Sequence, residues 1–356
     1  MKKILALVMA MTMAVGLTAC GGSTASDSAA DTSAEESTAA EDTAEDTAED
    51  VAAAEDAETP SAGGSYTVGI CQLVQHEALD AATQGFKDAL TEAFGDAVTF
   101  DEQNAQGDSN TCSTIINSFV SDDVDLILAN ATAALQAAAA GTDEIPILGT
   151  SVTEYGVALD IDDFSGTVGG NISGTSDLAP LDQQAAMLNE LFPDAVNVGL
   201  LYCSAEANSQ YQVDTVQGYL EDMGYTCTQY SFSDSNDLSS VATTAASESD
   251  VIYIPTDNTA AANTEIINNI CQPAGVPIIA GEEGICSGCG VATLSISYYD
   301  LGVATGEMAV RILNGEENIS EMPIEYAPQF TKKYNPTIAE ALGVTIPDDY
   351  EAIEAE

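Results

Sequence analysis

The sequence predicts an α/β protein of two similar open parallel-sheet lobes joined by a hinge. Three observations carry that prediction. Short runs of β-branched and aliphatic residues alternate with helix-length segments through most of the chain, as strands joined by crossover helices do. The alternation halts and begins again after Gly174. The two passes also match in detail: "VGICQL" from Val68 matches "VGLLYC" from Val198, Asp125-Leu-Ile-Leu matches Asp250-Val-Ile-Tyr, and "IPILGTS" matches "VPIIAGE".

Taken in order, the first pass reads strand "YTVGICQL" from Tyr66, helix "ALDAATQGFKDALTEAF", strand "AVTFDEQ", helix "SNTCSTIINSFVS", strand "VDLILAN", helix "TAALQAAAA" and strand "IPILGTSV". The second reads helix "PLDQQAAMLNELF", strand "NVGLLYC", helix "SQYQVDTVQGYLEDM", strand "YTCTQYSF", helix "DLSSVATTAAS", strand "DVIYIP", helix "TAAANTEIINNIC" and strand "PIIAGE". Open parallel sheets bind ligands beyond the carboxyl ends of their strands, where strand order reverses. Polar residues follow the strands of both passes at matching places, so they are expected to form the two walls of one crevice.

The chain opens "MKKILALVMAMTMAVGLTACGGS", with two lysines, a short apolar run and small residues around a cysteine, the layout of a secretory signal over residues 1–19. Leu17-Thr18-Ala19-Cys20 resembles the bacterial lipobox, in which Cys20 is lipidated and becomes the mature N-terminus. An ordinary signal cleaved near Ala19 and a short membrane anchor are the competing readings. Residues 20–64 comprise that cysteine and an acidic, Ala-, Ser- and Thr-rich stretch with almost no large apolar residue, expected to be an extended tether. The folded body then divides into an N-terminal lobe, 66–174 plus about 298–320, and a C-terminal lobe, 175–297 plus about 321–347.

With 58 acidic and six basic residues the formal net charge is −52, which excludes nucleic acid as a partner because phosphate backbones are repelled. Loss of the signal also removes Lys2 and Lys3, leaving Lys87, Arg311, Lys332 and Lys333 as the only basic side chains. Neither a G-x-S-x-G elbow nor a G-x-x-x-x-G-K phosphate loop is present, and the single histidine has no evident nucleophile or orienting acid at matching positions, so no enzyme is expected. Cys20 aside, seven cysteines remain. Cys286 and Cys289 form a CxxC, read here as part of a glycine-rich loop. No second CxxC or nearby histidine completes a zinc set, so no metal or cofactor is expected, and a local disulfide or free thiols is the reading preferred.

"HEALDAATQGFKDAL", "NAQGD", "LILANATAALQAAA", "CSAEANSQYQV", "IPTDNT", "IAGEEG" and "SYYDLGVATGEMAVRILNG", in that order, resemble the substrate-binding lipoproteins of bacterial ABC importers, and more narrowly the tryptophan- or tyrosine-binding group. The resemblance spans Tyr66 to about Pro347. It implies a type I periplasmic-binding-protein fold, no catalysis, and a monomer tied by its lipid to the outer face of the cell membrane. It further implies capture of a small solute, an aromatic amino acid, for delivery to a permease and ATPase. A ligand-sensing receptor domain, or a binder of an aliphatic amino acid or non-amino-acid solute, is the alternative. The chain departs from the group's pattern in its extra cysteines and its scarcity of surface lysine and arginine.

If the solute is an amino acid, its carboxylate needs donors. The one arginine of the mature chain, Arg311, lies in an amphipathic helix far from the strand-end loops. Backbone amides at helix starts are the remaining supply, so Asn130, Thr132, Thr150 and Ser151 are the candidates. For the ammonium, Asp257 with Thr256 before it, and Glu282, which matches Ser151 in the repeat, stand at strand ends of the second lobe; Asp257 is equally well explained as a helix cap. The resemblance puts His76, the only histidine, in the cleft, where its ring could stack on an aromatic solute. Ser204, Asn208 and Ser209 form the matching loop of the second lobe. Tyr298 and Tyr299 are read as hinge or core residues.

Overall fold

The computed structural model describes residues 65–354 except 328. Cys20, the signal segment and the acidic tether lie outside the described residues.

The first half runs β1 (Tyr66–Gln72), α1 (Glu77–Phe94), β2 (Val98–Asn104), α2 (Ser109–Ser121), β3 (Leu126–Asn130), α3 (Thr132–Gly141), β4 (Ile147–Val152), α4 (Tyr155–Ala158) and β5 (Ile172–Ser176). The second begins α5 (Leu181–Leu191), β6 (Asn197–Cys203), α6 (Ala207–Asp222), β7 (Thr226–Phe232), α7 (Ser235–Glu248), β8 (Val251–Ile254) and α8 (Asn258–Ala261). It continues through α9 (Thr264–Ala274), β9 (Ile278–Ala280), α10 (Glu283–Cys289) and β10 (Ala292–Ser295). The chain ends with α11 (Tyr298–Leu313), β11 (Glu325–Tyr326), β12 (Thr331–Tyr334), α12 (Pro336–Leu342) and β13 (Glu351–Ala352).

Two sheets result. One has the order β11-β5-β4-β3-β1-β2 and the other β13-β12-β10-β9-β8-β6-β7. Strands β2-β1-β3-β4-β5 and β7-β6-β8-β9-β10 therefore occupy equivalent places, all parallel within each set, and only the β10–β12 pair is antiparallel. Strand order reverses at β1/β3 in one lobe and at β6/β8 in the other, the positions where such sheets take ligands. This is the type I periplasmic-binding architecture.

The sequence repeat has a physical cause at its two aspartates. Asp125 accepts from the backbone N of Thr67 at 2.7 Å, and Asp250 accepts from the backbone N of Val196 and Asn197 at 2.9 and 2.8 Å. Each carboxylate thus ties the entry of the third strand of its lobe to the entry of the first. Both strands then run into fully buried aliphatic residues: Leu126, Ile127 and Leu128 in β3, and Val251, Ile252 and Ile254 in β8.

Several elements differ from the sequence expectation. Cys286 and Cys289 lie in helix α10 and not in a loop, because Glu282 caps that helix, accepting from the backbone N of Gly284 and Ile285 at 2.6 and 2.5 Å. The segment read as one helix, "TAAANTEIINNIC", is two, α8 and α9, interrupted at Ala262 and Asn263. Strand β5, sequence ISGTS, has one aliphatic residue and gave no strand pattern. Its Gly174 sits at φ 146 with its α-carbon so close to β4 that a Cβ would come 2.1 Å from the carbonyl oxygen of Gly149.

Three connections cross between the sheets: residues 177–180 from β5 to α5, Ile296 and Ser297 from β10 to α11, and the run from β11 to β12. Helix α11 returns to the first sheet and packs along α1.

Candidate functional site

A cavity lies between the two sheets beside these crossings. Its lining from the first lobe is His76, Leu79, Ser151 and Thr153; from the second, Asn208, Thr256, Asp257, Asn258, Ala261 and Glu282; and from the crossings, Asp177 and Tyr298. The centre of a water molecule can reach about 10 Å³ of it, roughly the room of one water. The lobes are drawn together over it, and His76 Nε2 and Asn258 Oδ1 meet across the cleft at 3.2 Å.

Three carboxyl groups converge here, with relative exposures of 3% for Asp177, 1% for Asp257 and 2% for Glu282, and no lysine or arginine lines the cavity. Asp257 follows β8. One of its oxygens accepts from the backbone N of Ala260 at 2.8 Å, capping α8, and the other from the backbone N of Cys203 at 2.6 Å. Burial, then the nearby charge of Glu206, push its pKa up to about 8 despite those hydrogen bonds. Glu282 follows β9 and caps α10 with both oxygens; burial raises it to about 7. Asp177 begins the crossing after β5. It accepts from the Tyr298 hydroxyl at 2.9 Å through Oδ2, its Oδ1 is buried without a partner, and burial raises its pKa. Three buried acids without a basic neighbour are costly unless a cation joins them or protons stay on them.

Six of the eleven sequence candidates line this cavity: His76, Ser151, Asn208, Thr256, Asp257 and Glu282. Ser151 lies at the end of β4, where the register with β5 shifts, and holds a left-handed φ of 54° with its hydroxyl buried and unpartnered. Asn208 donates to the carbonyl of Thr256 at 2.9 Å and so joins the walls of the second lobe.

The other five are placed elsewhere. Asn130 is fully buried and donates to Leu79 O and Thr83 Oγ1, both at 2.9 Å, fastening α1 to β3. Thr132 is the first residue of α3 and is buried away from the lining set. Thr150 joins a hydroxyl triad, 3.3 Å from Thr175 and 3.1 Å from Thr305, that ties β4 and β5 to α11. Ser204 is exposed and donates to the carbonyl of Phe232 at 3.1 Å. Ser209 is fully buried and supports Asp257 with its hydroxyl.

The sequence reading missed Asp177, Thr153 and Asn258 and left Tyr298 among hinge or core residues. Asp177 carried a usable signal. An acid immediately before Leu-Ala-Pro opens the second pass at the strand-to-helix boundary, but its strand, β5, was itself unrecognised.

Arg311 is engaged on the far side of α11 with Glu317 and Glu325 at 3.1 and 2.7 Å, so it does not serve the cavity. The seven cysteines among the described residues are free thiols. Cys71 and Cys112 are hydrogen-bonded to each other within the first lobe. No cluster of three or more potential metal ligands occurs among the described residues.

The family model for ABC transporter substrate binding proteins matches residues 67–355. The chain belongs to that family.

This substrate-binding protein is 36% identical over 263 residues, 72% of the chain and 75% of the relative, to the tyrosine-binding protein of Clostridioides difficile strain R20291. Its fold matches an ABC domain from Streptococcus pneumonia in complex with L-Trp, with a TM-score of 0.78 and 31% identity over 82% of this chain and 100% of the other. It also matches the ligand-free, open structure of a substrate-binding protein with adhesive properties from Clostridium difficile, with a TM-score of 0.62 and 36% identity over 82% and 100%. The sequence nearer in identity is thus the more distant in shape. A closed arrangement of the lobes has that effect. The family is one of binding proteins, and no helix among the described residues is long and apolar enough to cross a membrane.

Proposed function

We propose that this ABC substrate-binding protein captures an aromatic amino acid, tyrosine, tryptophan or phenylalanine, and delivers it to the permease and ATPase of an importer. The observation that carries the amino-acid reading is the convergence of Asp177, Asp257 and Glu282 on one cavity that lysine and arginine do not enter. An ammonium group is the cation such a site suits, and the opening of a hinged cleft admits the rest of the solute. The aromatic preference is supported by the names of the two relatives, one called tyrosine-binding and one solved with L-Trp.

In this reading His76, Ser151, Asn208, Thr256, Asp257 and Glu282 contact the solute together with Thr153, Asp177 and Tyr298. Ser151, with a free hydroxyl, supplies a donor to the solute carboxylate. Asn130, Thr132, Thr150, Ser204 and Ser209 hold the loops that carry those contacts.

Cys20 is the lipidation residue, residues 20–64 are the tether, and the protein works as a monomer anchored on the extracytoplasmic face of the membrane. The lipobox-like Leu17-Thr18-Ala19-Cys20 supports that part of the reading. An attached acyl chain contributes about 0.8 kcal/mol of membrane affinity per buried methylene, so two chains or more hold firmly.

The test is a thermal-shift panel of amino acids and sugars on the full chain. An aromatic amino acid at 100 times its dissociation constant adds about 2.7 kcal/mol of stability, and sugars add none. A panel in which no amino acid shifts the melting temperature refutes the reading. For the anchor, Cys20→Ala should move the protein from the membrane fraction to the medium.

A further inference from the structure

Six buried side-chain nitrogen or oxygen atoms among the described residues lack a partner, and three of them, His76 Nδ1, Ser151 Oγ and Asp177 Oδ1, belong to residues that line the cavity described above. Their chemistry can be read from their neighbours. Glu206, behind the second-lobe wall, accepts five hydrogen bonds: from the backbone N and Nδ2 of Asn258 at 3.0 and 2.7 Å, from the backbone N and hydroxyl of Thr259, both at 2.8 Å, and from Nδ2 of Asn208 at 3.3 Å. That carboxylate fixes the amide of Asn258 with nitrogen toward Glu206 and oxygen toward His76. Asn258 Oδ1 can only accept, so the contact at 3.2 Å makes His76 Nε2 the donor.

A neutral imidazole has one N–H. With it on Nε2, Nδ1 keeps a bare lone pair, and that atom is buried and unpartnered on a residue that lines the cavity. Two features keep the ring neutral. It is half-buried in the closed cleft, and it stands at the N-cap of α1, where the positive end of the helix dipole opposes a second proton. The groups favouring the charged ring are the Asn258 hydrogen bond, Glu206 across the cleft and Asp80 on α1; burial outweighs them. Asp177 Oδ1 is likewise an acceptor once an ammonium favours the ionised carboxylate, Oδ2 being already engaged by the Tyr298 hydroxyl.

We infer that His76 is a specificity-determining residue that meets the solute as an acceptor: in the Nε2–H tautomer, its Nδ1 takes a hydrogen bond from the ammonium of the bound amino acid, alongside Asp177 Oδ1. This deepens the reading given under Proposed function and rests on it. The two acceptors demand a solute with a free cationic amino group. An N-acylated amino acid, or the analogue lacking the amine, would leave both buried acceptors unpaired, which sites built for a donor reject strongly.

Because the chain contains a single histidine, nitrogen NMR of histidine-labelled full-length protein reads this residue alone. With the cleft closed on L-tyrosine or L-tryptophan, the ring should show a protonated Nε2. On addition of L-tyrosine or L-tryptophan the Nδ1 resonance should move toward that of a hydrogen-bonded acceptor. By calorimetry, N-acetyl-L-tyrosine and 3-(4-hydroxyphenyl)propionate should bind at least ~100-fold more weakly than L-tyrosine. His76→Phe should lose about 10- to 100-fold in affinity, as removal of a hydrogen bond to a charged group does. His76→Asn, which restores an acceptor, should lose less.

A protein closed on its solute with the proton on Nδ1 overturns the inference. So does a bound aromatic amino acid that leaves the Nδ1 resonance unmoved, or an N-acetyl analogue that binds as well as the parent. Failure of every aromatic amino acid to bind overturns the underlying functional reading and this inference with it, whereas a bound amino acid with the proton on His76 Nδ1 overturns the inference alone.

Discussion

Tyr298 donates its hydroxyl proton to Asp177 Oδ2 at 2.9 Å, so the first residue of α11 is bonded to the residue that leaves β5, 121 positions earlier in the chain. Two of the three crossings between the sheets are joined by that bond at the floor of the cleft. It leaves Asp177 Oδ1 free to face the solute and uses up the one proton Tyr298 can give. Asp177→Asn should lower affinity for the amino acid at least ~100-fold, since it removes the charge opposite the ammonium. Melting temperature should hold or rise, because a buried acid is also lost. Tyr298→Phe should cost less in affinity, about 10-fold, the worth of one hydrogen bond to a charged group. Calorimetry and melting curves on the two variants check this. Unchanged affinity in Asp177→Asn would remove Asp177 from the site.

The buried acids make stability depend on pH in a direction opposite to that of a salt-bridged carboxylate. Asp257 is raised from 3.8 to about 8 and Glu282 from 4.5 to about 7, so the folded protein holds these protons more tightly than the unfolded chain. Below about pH 4 both states are protonated and the shifts contribute nothing. As pH rises from there through 7 to 8, the unfolded chain ionises freely while the fold resists, and stability is lost. The solute-free protein should melt higher at pH 5.5 than at pH 8, with the difference on the order of a few kcal/mol. A solute ammonium favours the ionised acids, so binding near pH 7 should release protons. That release appears as a binding enthalpy that varies with the ionisation enthalpy of the buffer. Equal enthalpies across buffers would show that the acids do not change protonation on binding.

Thr150 tests the boundary between site and scaffold. Its position near the end of β4 made it a candidate to hold the solute carboxylate, but its hydroxyl completes the triad with Thr175 and Thr305, and its relative exposure is 0%. Thr175 and Thr305 remain bonded to each other at 2.8 Å without it. Thr150→Val should therefore cost about 1 kcal/mol of stability and leave affinity within about twofold. A tenfold loss of affinity would place that hydroxyl on the solute.

Much of this fold could be read from the sequence because its parallel strands are buried on both faces. Continuous apolar runs such as Leu126–Leu128 and Val251–Ile254 announce themselves. The repeat was legible for the same reason, with Asp125 and Asp250 marking equivalent strand entries. What escaped notice was built from small residues. Strand β5 contains one isoleucine, and α10 contains two glycines and two cysteines, so neither has an apolar period to detect. The cleft suffered accordingly. Residues at or just beyond the ends of recognisable strands, such as His76, Ser151, Asp257 and Glu282, could be nominated by position, whereas Asp177 follows the strand that could not be seen. Nor can a sequence tell which of two adjacent polar residues turns inward. Thr150 and Ser151 are neighbours, yet the register shift at the end of β4 sends one hydroxyl into the triad and the other into the cavity.

Every basic side chain among the described residues is engaged in an ion pair: Lys87 with Glu102, Arg311 with Glu317 and Glu325, Lys332 with Glu190 and Asp349, and Lys333 with Glu283. Such partly exposed pairs contribute about 0–1 kcal/mol each, and against 58 acids they leave a large surplus of mutually repelling charge. Salt should therefore stabilise this protein, because a Debye length that falls from about 30 Å at 0.01 M to about 3 Å at 1 M screens the repulsion more than it weakens four cations' pairs. Melting temperature should rise by several degrees over that range of sodium chloride. A fall would mean that the ion pairs outweigh the repulsion.

The contact between α1 and α11 sets how closely the crossing helix can lie against the first lobe, and two glycines govern it. A Cβ on Gly302 would stand 2.0 Å from the carbonyl oxygen of Ala82, and one on Gly85 would stand 2.1 Å from that of Tyr299. Both obstacles are backbone, so neither can swing aside, and the helices would have to separate. Alanine gains up to about 1 kcal/mol over glycine in a helix interior, but overpacking a tight contact costs about 1–3 kcal/mol and more when the backbone must shift. The steric cost wins, and Gly302→Ala should lower stability by about 2 kcal/mol or more. The same displacement moves Tyr298, at the start of α11, away from Asp177, so affinity should fall too even though Gly302 touches no solute. Denaturant unfolding alongside calorimetry separates the two effects. A Gly302→Ala protein as stable as the parent would show that α1 and α11 are free to part, and one that is destabilised yet binds normally would show that the bond between Tyr298 and Asp177 does not depend on how α11 is seated.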